Sequence, residues 1–244
     1  MTQRLPDFLG LGTQKGGTTT LHTLLAADPR FVLPACKEVH YFDLRHHESI
    51  DWYAAHFAHA RDDEMCGEIS PYYLFHPDVP SRIHALLPTV KLIVLLRDPV
   101  ERALSQVFHA KRRGFESLDV ADALDAEQTR LATGDPYSLQ KHSYVSRSRY
   151  IEQLDRYIAL FPKKQLLVLR SEDLFDQPNV VWEQLLDFLG LAVTQLPSAL
   201  PRANAGVGEA STINPAIRAR LREELEPTAR AVKQRYGFGW SWMD

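Results

Sequence analysis

The sequence predicts an α/β fold in which helices cover both faces of a mostly parallel sheet, and three observations carry that prediction. Short apolar runs alternate with segments of helical periodicity. The strongest run, residues 90–96, is continuously apolar after its lysine, as in a parallel strand buried on both faces. Glycine and proline mark the junctions where strand gives way to helix, at Gly12 to Gly17 and at Arg97-Asp98-Pro99. A chain of 244 residues, 45% of them apolar, is long enough to bury a large core, and one domain spanning residues 1–244 is expected.

Phe8–Gly12 reads as the first strand and Thr18–Ala27 as the first helix, with Leu21, Leu24 and Leu25 on one face. Residues 90–96 form a central strand. Pro99 then opens a helix running through about Arg113, where its missing N–H is not needed. Residues 116–137 start acidic and Ala-rich and end in Gly134-Asp135-Pro136, which predicts a surface helix followed by a flexible connection. Tyr150, Leu154, Tyr157, Ile158 and Phe161 give residues 146–161 a helical repeat, and Lys163-Lys164 lead into a strand at 165–169. Residues 179–189 read as a helix ended by Gly190. Small residues make 198–212 a loop, and 214–236 is helical, with Pro215 near its start and a break at Pro227.

A net charge of −3 gives no global attraction to nucleic acid or to an anionic membrane, so neither is an expected partner and any anion site must be built locally. Cys36 and Cys66 are too few for a disulfide framework and fit free thiols in a reducing cytoplasm. Residues 1–7 hold no long apolar segment, and a cytoplasmic protein is expected. The pairs His46-His47 and His56 with His59 are joined by no acidic or cysteine ligands, so no metal is expected.

The first strand-to-helix junction reads Gly12-Thr13-Gln14-Lys15-Gly16-Gly17-Thr18-Thr19-Thr20. Glycines there let backbone N–H groups approach an anion, the helix amino terminus adds unpaired donors, and the threonines add hydroxyls able to cap the helix. This is a P-loop-like junction of a three-layer α/β/α fold. The nucleotide triphosphatase spacing, however, requires a lysine where Thr18 stands, and Arg97 follows the other strong strand in place of an acidic metal ligand. A lysine inside the loop, Lys15, suits metal-free transfer of a singly charged sulfuryl group, with the ammonium at the bridging oxygen of the departing phosphate.

At these residues the chain resembles the family of sulfotransferases that use 3′-phosphoadenosine 5′-phosphosulfate (PAPS). Residues Gly12 to Thr18 look like the family's 5′-phosphosulfate loop, and Arg97-Asp98-Pro99-Val100-Glu101-Arg102-Ala103-Leu104-Ser105 look like its 3′-phosphate motif. Lys37-Glu38-Val39-His40-Tyr41-Phe42-Asp43 is most similar to the heparan sulfate branch, especially the glucosaminyl 3-O-sulfotransferases. The resemblance implies PAPS as co-substrate, 3′,5′-adenosine bisphosphate as product and no required metal. It places Thr13, Gln14, Lys15, Gly16, Gly17, Thr18, Thr19 and Thr20 on the phosphosulfate, and Arg97 with Ser105 on the 3′-phosphate.

Arg97, at the carboxyl end of a strand, has the planar fork that grips a phosphate; the competing reading is an ion pair with Glu101 or Asp98. Glu38 is the candidate general base, on the expectation that burial raises its pKa. His40 shares its face if the segment is extended, and would orient the acceptor, tune Glu38 or replace it as base. Asp43 either contacts the acceptor or caps the helix near Ile50. Gly67-Glu68-Ile69-Ser70-Pro71-Tyr72-Tyr73 resembles an acceptor-contacting segment, which brings in Ile69 and Tyr72, although Ile69 stands where the 3-O-sulfotransferases usually carry lysine. Arg147-Ser148-Arg149-Tyr150 matches a further stretch, with Arg147 or Ser148 near the nucleotide or, alternatively, on a solvated helix.

The family's basic Lys-Gly-Arg loop is replaced by residues 203–209, with Arg202 as its possible substitute. Tyr41, Phe42, Tyr72, Tyr73 and Phe75, together with Ile69, favour a small or partly apolar acceptor, such as a small-molecule metabolite, a lipid or a carrier-bound intermediate, with a glycan open because sugar rings also stack on aromatics. The oligomeric state is not readable. Two other functions compete: a small-molecule kinase or related P-loop nucleotide enzyme, and a non-catalytic binding descendant.

Overall fold

The computed structural model describes residues 3–197 and 212–243. In chain order the elements are β1 (Phe8–Gly12), α1 (Thr18–Ala27), β2 (Phe31–Val32), α2 (Ile50–Ala55), β3 (Met65–Ile69), α3 (Val79–Leu86), β4 (Lys91–Leu96), α4 (Pro99–Arg112), α5 (Val120–Ala132), α6 (Pro136–Lys141), α7 (Tyr150–Ile158), β5 (Leu166–Arg170), α8 (Ser171–Asp176), α9 (Pro178–Leu189) and α10 (Pro215–Tyr236). Two compact units result, one of residues 3–96 with 153–197 and one of residues 97–152 with 212–243. The residues 198–211, including the expected loop at 203–209 and Arg202, lie outside the described residues.

The first unit holds a five-stranded sheet in the order β2-β3-β1-β4-β5, and every pairing is parallel. The α/β expectation is met. β1 is buried along its whole length, as a strand covered on both faces must be, and its neighbours β3 and β4 give it a ladder on each side. Leu21, Leu24 and Leu25 of α1 meet Phe8, Ile69, Ile93 and Leu95 of the sheet and Trp182, Leu185 and Leu186 of α9 in one core.

Gly67 pairs with Phe8 across β1 and β3, and the Phe8 ring occupies the place of its missing side chain: a Cβ there would lie 2.1 Å from Phe8 Cζ. That ring is fully enclosed and edge-on to Phe31, so it has no room to retreat. Gly67→Ala is therefore expected to destabilise the fold by about 3 kcal/mol through overpacking. Urea unfolding checks this, and a loss below about 1 kcal/mol contradicts the packing argument.

In the second unit α4, α5 and α10 enclose a separate core of Val100, Leu104, Val107, Leu124, Leu221 and Leu225. Two expectations are corrected here. Pro227 lies inside α10 without ending it, because Pro227 and Glu223, whose carbonyl loses its partner, are both exposed to water while Leu221, Leu225, Ala229 and Val232 hold the other face in the core. Gly134-Asp135-Pro136 is an ordered helix start, since Asp135 accepts from the N–H groups of Tyr137 and Ser138 and Pro136 takes the first position of α6. Among the described residues no helix is long and apolar enough to cross a membrane.

Candidate active site

The loop after β1 is fastened to the end of β4. The N–H and the hydroxyl of Thr13 both donate to the Leu95 carbonyl, at 2.8 and 3.0 Å, and Gly16 N–H donates to the Thr13 carbonyl at 2.9 Å. The fit leaves no space for a side chain at Gly16, where a Cβ would come within 2.5 Å of Thr13 Oγ1 and 2.9 Å of the Leu95 oxygen. Gly17 caps α1 with φ 87°, a left-handed conformation that glycine adopts without strain, and no side-chain oxygen caps the helix. The expected threonine cap is thus replaced: Thr18, Thr19 and Thr20 form the first turn itself, with Thr18 and Thr20 buried and Thr19 partly exposed. Lys15 also has a positive φ, 70°, and it is partly exposed, as is Gln14. Tight, glycine-permitted backbone at a helix amino terminus, beside a lysine, is the arrangement that holds phosphate.

In the same unit Lys37, Glu38, His40 and Asp43 form a row. Lys37 Nζ lies 2.9 Å from Glu38 Oε1, Glu38 Oε2 lies 3.3 Å from His40 Nε2, and His40 Nδ1 lies 3.0 Å from Asp43. The Asp43 side chain is fully enclosed, whereas that of Glu38 is 36% exposed. Residues 38–40 are not a strand, and His40 stands in the left-handed region at φ 60°. The contact between Glu38 and His40 therefore comes from a turn, not from the strand alternation expected of an extended segment.

Burial acts against charge on Glu38, but hydrogen bonds from His40 and the charge and hydrogen bond of Lys37 outweigh it and hold the carboxyl down to about 2. This reverses the expectation of a raised pKa, because the two cations outweigh burial. Burial likewise opposes the imidazolium of His40, yet Asp43 and Glu38 push it up to about 9. Asp43 caps no helix: Ser49 caps α2 by accepting from Trp52 N–H, while Asp43 accepts from His40 and from Leu44 N–H.

Beneath this row sits Glu68 of β3, fully enclosed, a member of the 67–73 segment to which the sequence assigned no role of its own. Tyr53 and Tyr73 donate to its Oε1 at 2.7 and 2.9 Å and Ser70 donates to its Oε2 at 2.8 Å. Burial raises its pKa against these three hydroxyls, which draw it down. Its neighbour Ile69, expected beside the acceptor, is instead buried in the core against Gly10, since on a strand it points to the opposite face from Glu68. Four of the five aromatic residues expected to favour an apolar acceptor are buried as well, and Phe75 is partly exposed. Tyr41 stacks on Tyr53 at 4.2 Å, Phe42 and Tyr73 are fully enclosed, and Tyr72 is buried with its ring against Phe75 and His76.

In the second unit Arg97 directly follows β4 and is partly exposed, and Tyr150 donates to its carbonyl at 2.7 Å. Of the two acids offered as its ion-pair partners, Asp98 caps α4, accepts from Trp242 and feels the charge of Arg97, and Glu101 pairs with Arg218. Ser105 lies partly exposed on α4. Arg147 is buried, and it donates to Ser143 Oγ and to the carbonyls of Leu139 and Gln140. Ser148 accepts from the fully buried Arg102 and donates to the Pro99 carbonyl, which ties the segment to the start of α4. Among the described residues no group of three or more His, Cys, Asp or Glu is arranged to hold a metal ion, and both cysteines are free.

A family model described as the sulfotransferase domain matches residues 5–203. The chain is 28% identical to the membrane-associated sulfotransferase kil1 of Dictyostelium discoideum, covering 77% of this chain and 56% of that protein. It is 30% identical to heparan sulfate glucosamine 3-O-sulfotransferase 5 of Homo sapiens, covering 78% of this chain and 55% of the other, so it spans about half the length of these curated relatives. A sulfotransferase crystal structure from Alicyclobacillus acidocaldarius superposes with a TM-score of 0.82 at 24% identity, over 98% of this chain and 99% of that one, which shows a shared fold. With the domain match running through both the phosphate loop and the Lys37-to-Asp43 row, the chain belongs to the sulfotransferase family.

Proposed function

We propose that this chain transfers the sulfuryl group of PAPS to a hydroxyl or amine of an acceptor and releases 3′,5′-adenosine bisphosphate. The observation that carries the reading is the geometry of the row at Glu38: a partly exposed carboxylate set between Lys37 and His40, within reach of solvent and therefore of an acceptor. The acceptor oxygen or nitrogen attacks sulfur as the bond from sulfur to the bridging phosphate oxygen breaks. Glu38 takes the acceptor proton, and Lys15 with the loop N–H groups stabilises the charge gathering on the departing phosphate. His40, charged at neutral pH, orients Glu38 and does not act as the base. Arg97 and Ser105 take the 3′-phosphate role on their resemblance to the family motif. Relatives named for heparan sulfate bring glycans forward as acceptors, whereas the burial of Tyr41, Phe42, Tyr72 and Tyr73 weakens the support for an apolar one.

The kinase alternative is not favoured, and nucleotide binding separates the two. 3′,5′-Adenosine bisphosphate at a hundredfold excess over its Kd should stabilise the fold by about 2.7 kcal/mol, read as a rise in Tm of several degrees. A rise with ATP and magnesium but none with the bisphosphate would overturn the proposal.

A further inference from the structure

The hydroxyls around Glu68 do more than satisfy a buried carboxyl. Each has a single hydrogen, and two of them also accept a backbone N–H: Ser70 Oγ from His40 at 3.2 Å and Tyr73 Oη from Phe42 at 3.3 Å. Their hydrogens must then point at Glu68, which accepts at both oxygens. The His40 carbonyl is held from the other side by the N–H of Arg45 at 2.9 Å. His40 needs such a clamp, because a side chain at φ 60° is strained unless its surroundings fix it, and this turn brings Glu38 and Asp43 to its two ring nitrogens.

We propose that Glu68 is a positioning residue for sulfuryl transfer: it sets the hydroxyls of Ser70 and Tyr73, and these hold residues 40 and 42 in the turn that aims His40 at Glu38. Glu68 itself touches no substrate. The inference rests on Glu38 as proton acceptor for its catalytic meaning, but its geometric content can be tested without any acceptor. The groups facing His40 are Glu38 and Asp43 of its own segment, and those facing Glu68 are Tyr53 of α2, Tyr73 and Ser70 after β3, and Asp43.

The test is an NMR titration of the His40 ring in the full chain. The midpoint, about 9 in the native protein, should fall by about one unit or more in Glu68→Gln, since an amide must present N–H to one hydroxyl and turn it away. Ser70→Ala cuts the link to the His40 N–H while leaving both tyrosine bonds to Glu68, and it should lower the midpoint alike; it decides the matter if Glu68→Gln does not fold. Tyr53→Phe removes a donor that reaches neither backbone amide and should leave the midpoint in place. With an acceptor in hand, Glu68→Gln should lose about 10- to 100-fold in kcat at unchanged KM for PAPS. A His40 midpoint unmoved in Glu68→Gln and Ser70→Ala, with only a lower Tm, overturns the inference whatever the activity of Glu38 variants.

Discussion

Glu38→Gln lowers kcat by about a thousandfold while the fold persists, because the amide keeps the shape of the carboxylate and cannot take the acceptor proton. The pH dependence gives the sharper reading. With its pKa held at about 2, Glu38 is ionised throughout the ordinary working range, so kcat/KM should show no acid limb near 4.5. His40 stays charged until about 9, and above that pH it loses the proton that bonds to Glu38, so activity should be flat from about pH 4 to 8 and then decline. Were neutral His40 the base, the rate would instead climb roughly tenfold per unit toward pH 9, as the imidazole became available. Stability follows the same groups. The raised pKa of His40 contributes stability that is complete below about 6.5 and is lost as the pH rises through 9. The depressed pKa of Glu38 contributes stability that is present above 4.5 and is lost as the pH falls through 2. In Glu38→Gln the alkaline loss should move to lower pH, with Asp43 left as the carboxylate partner of His40 in the row. A rate that rises steadily to pH 9 in the native protein would assign the proton to His40.

What the sequence made legible was local. The strand, loop and helix from Phe8 to Ala27 and the strand and helix on either side of Pro99 rest on periodicity and on glycine and proline chemistry, which act over a few residues. Pro227 misled because its effect depends on which face of α10 it occupies, and that is fixed by the packing of Leu221 and Leu225. The ionisation of Glu38 and His40 was beyond reach for a related reason. Burial alone predicts a raised carboxyl, whereas Glu38 meets Lys37, its neighbour in the chain, and His40, which is brought to it by a turn held by Ser70, thirty positions along the chain. Glu68 left only a faint trace, a charged residue in an otherwise apolar strand, and its three partners come from α2 and from the turn after β3. A strand that spends a buried position on a carboxylate, with Ser and Tyr close behind it, is the pattern that would have flagged it.

Lys15→Ala should cost about 10²–10³ in kcat, the usual loss when one preorganised partner of a developing negative charge is removed. The loss should fall on chemistry more than on folding, because backbone groups and glycines fasten the loop: Thr13 holds it to the Leu95 carbonyl, Gly16 closes onto Thr13, and Gly17 caps α1. The backbone at Lys15 permits a stricter control. A non-glycine residue at φ 70° is strained by roughly 1 kcal/mol, so Lys15→Gly should raise Tm slightly while abolishing the same rate advantage. Lys15→Arg keeps the charge on a longer, planar group and should recover part of the rate. A structural lysine would behave oppositely, with Lys15→Gly losing stability and Lys15→Arg restoring Tm and rate together. Transfer from labelled PAPS within a few-fold of the native rate in both Lys15→Ala and Lys15→Gly would place the leaving-group charge on some other cation and end the assignment.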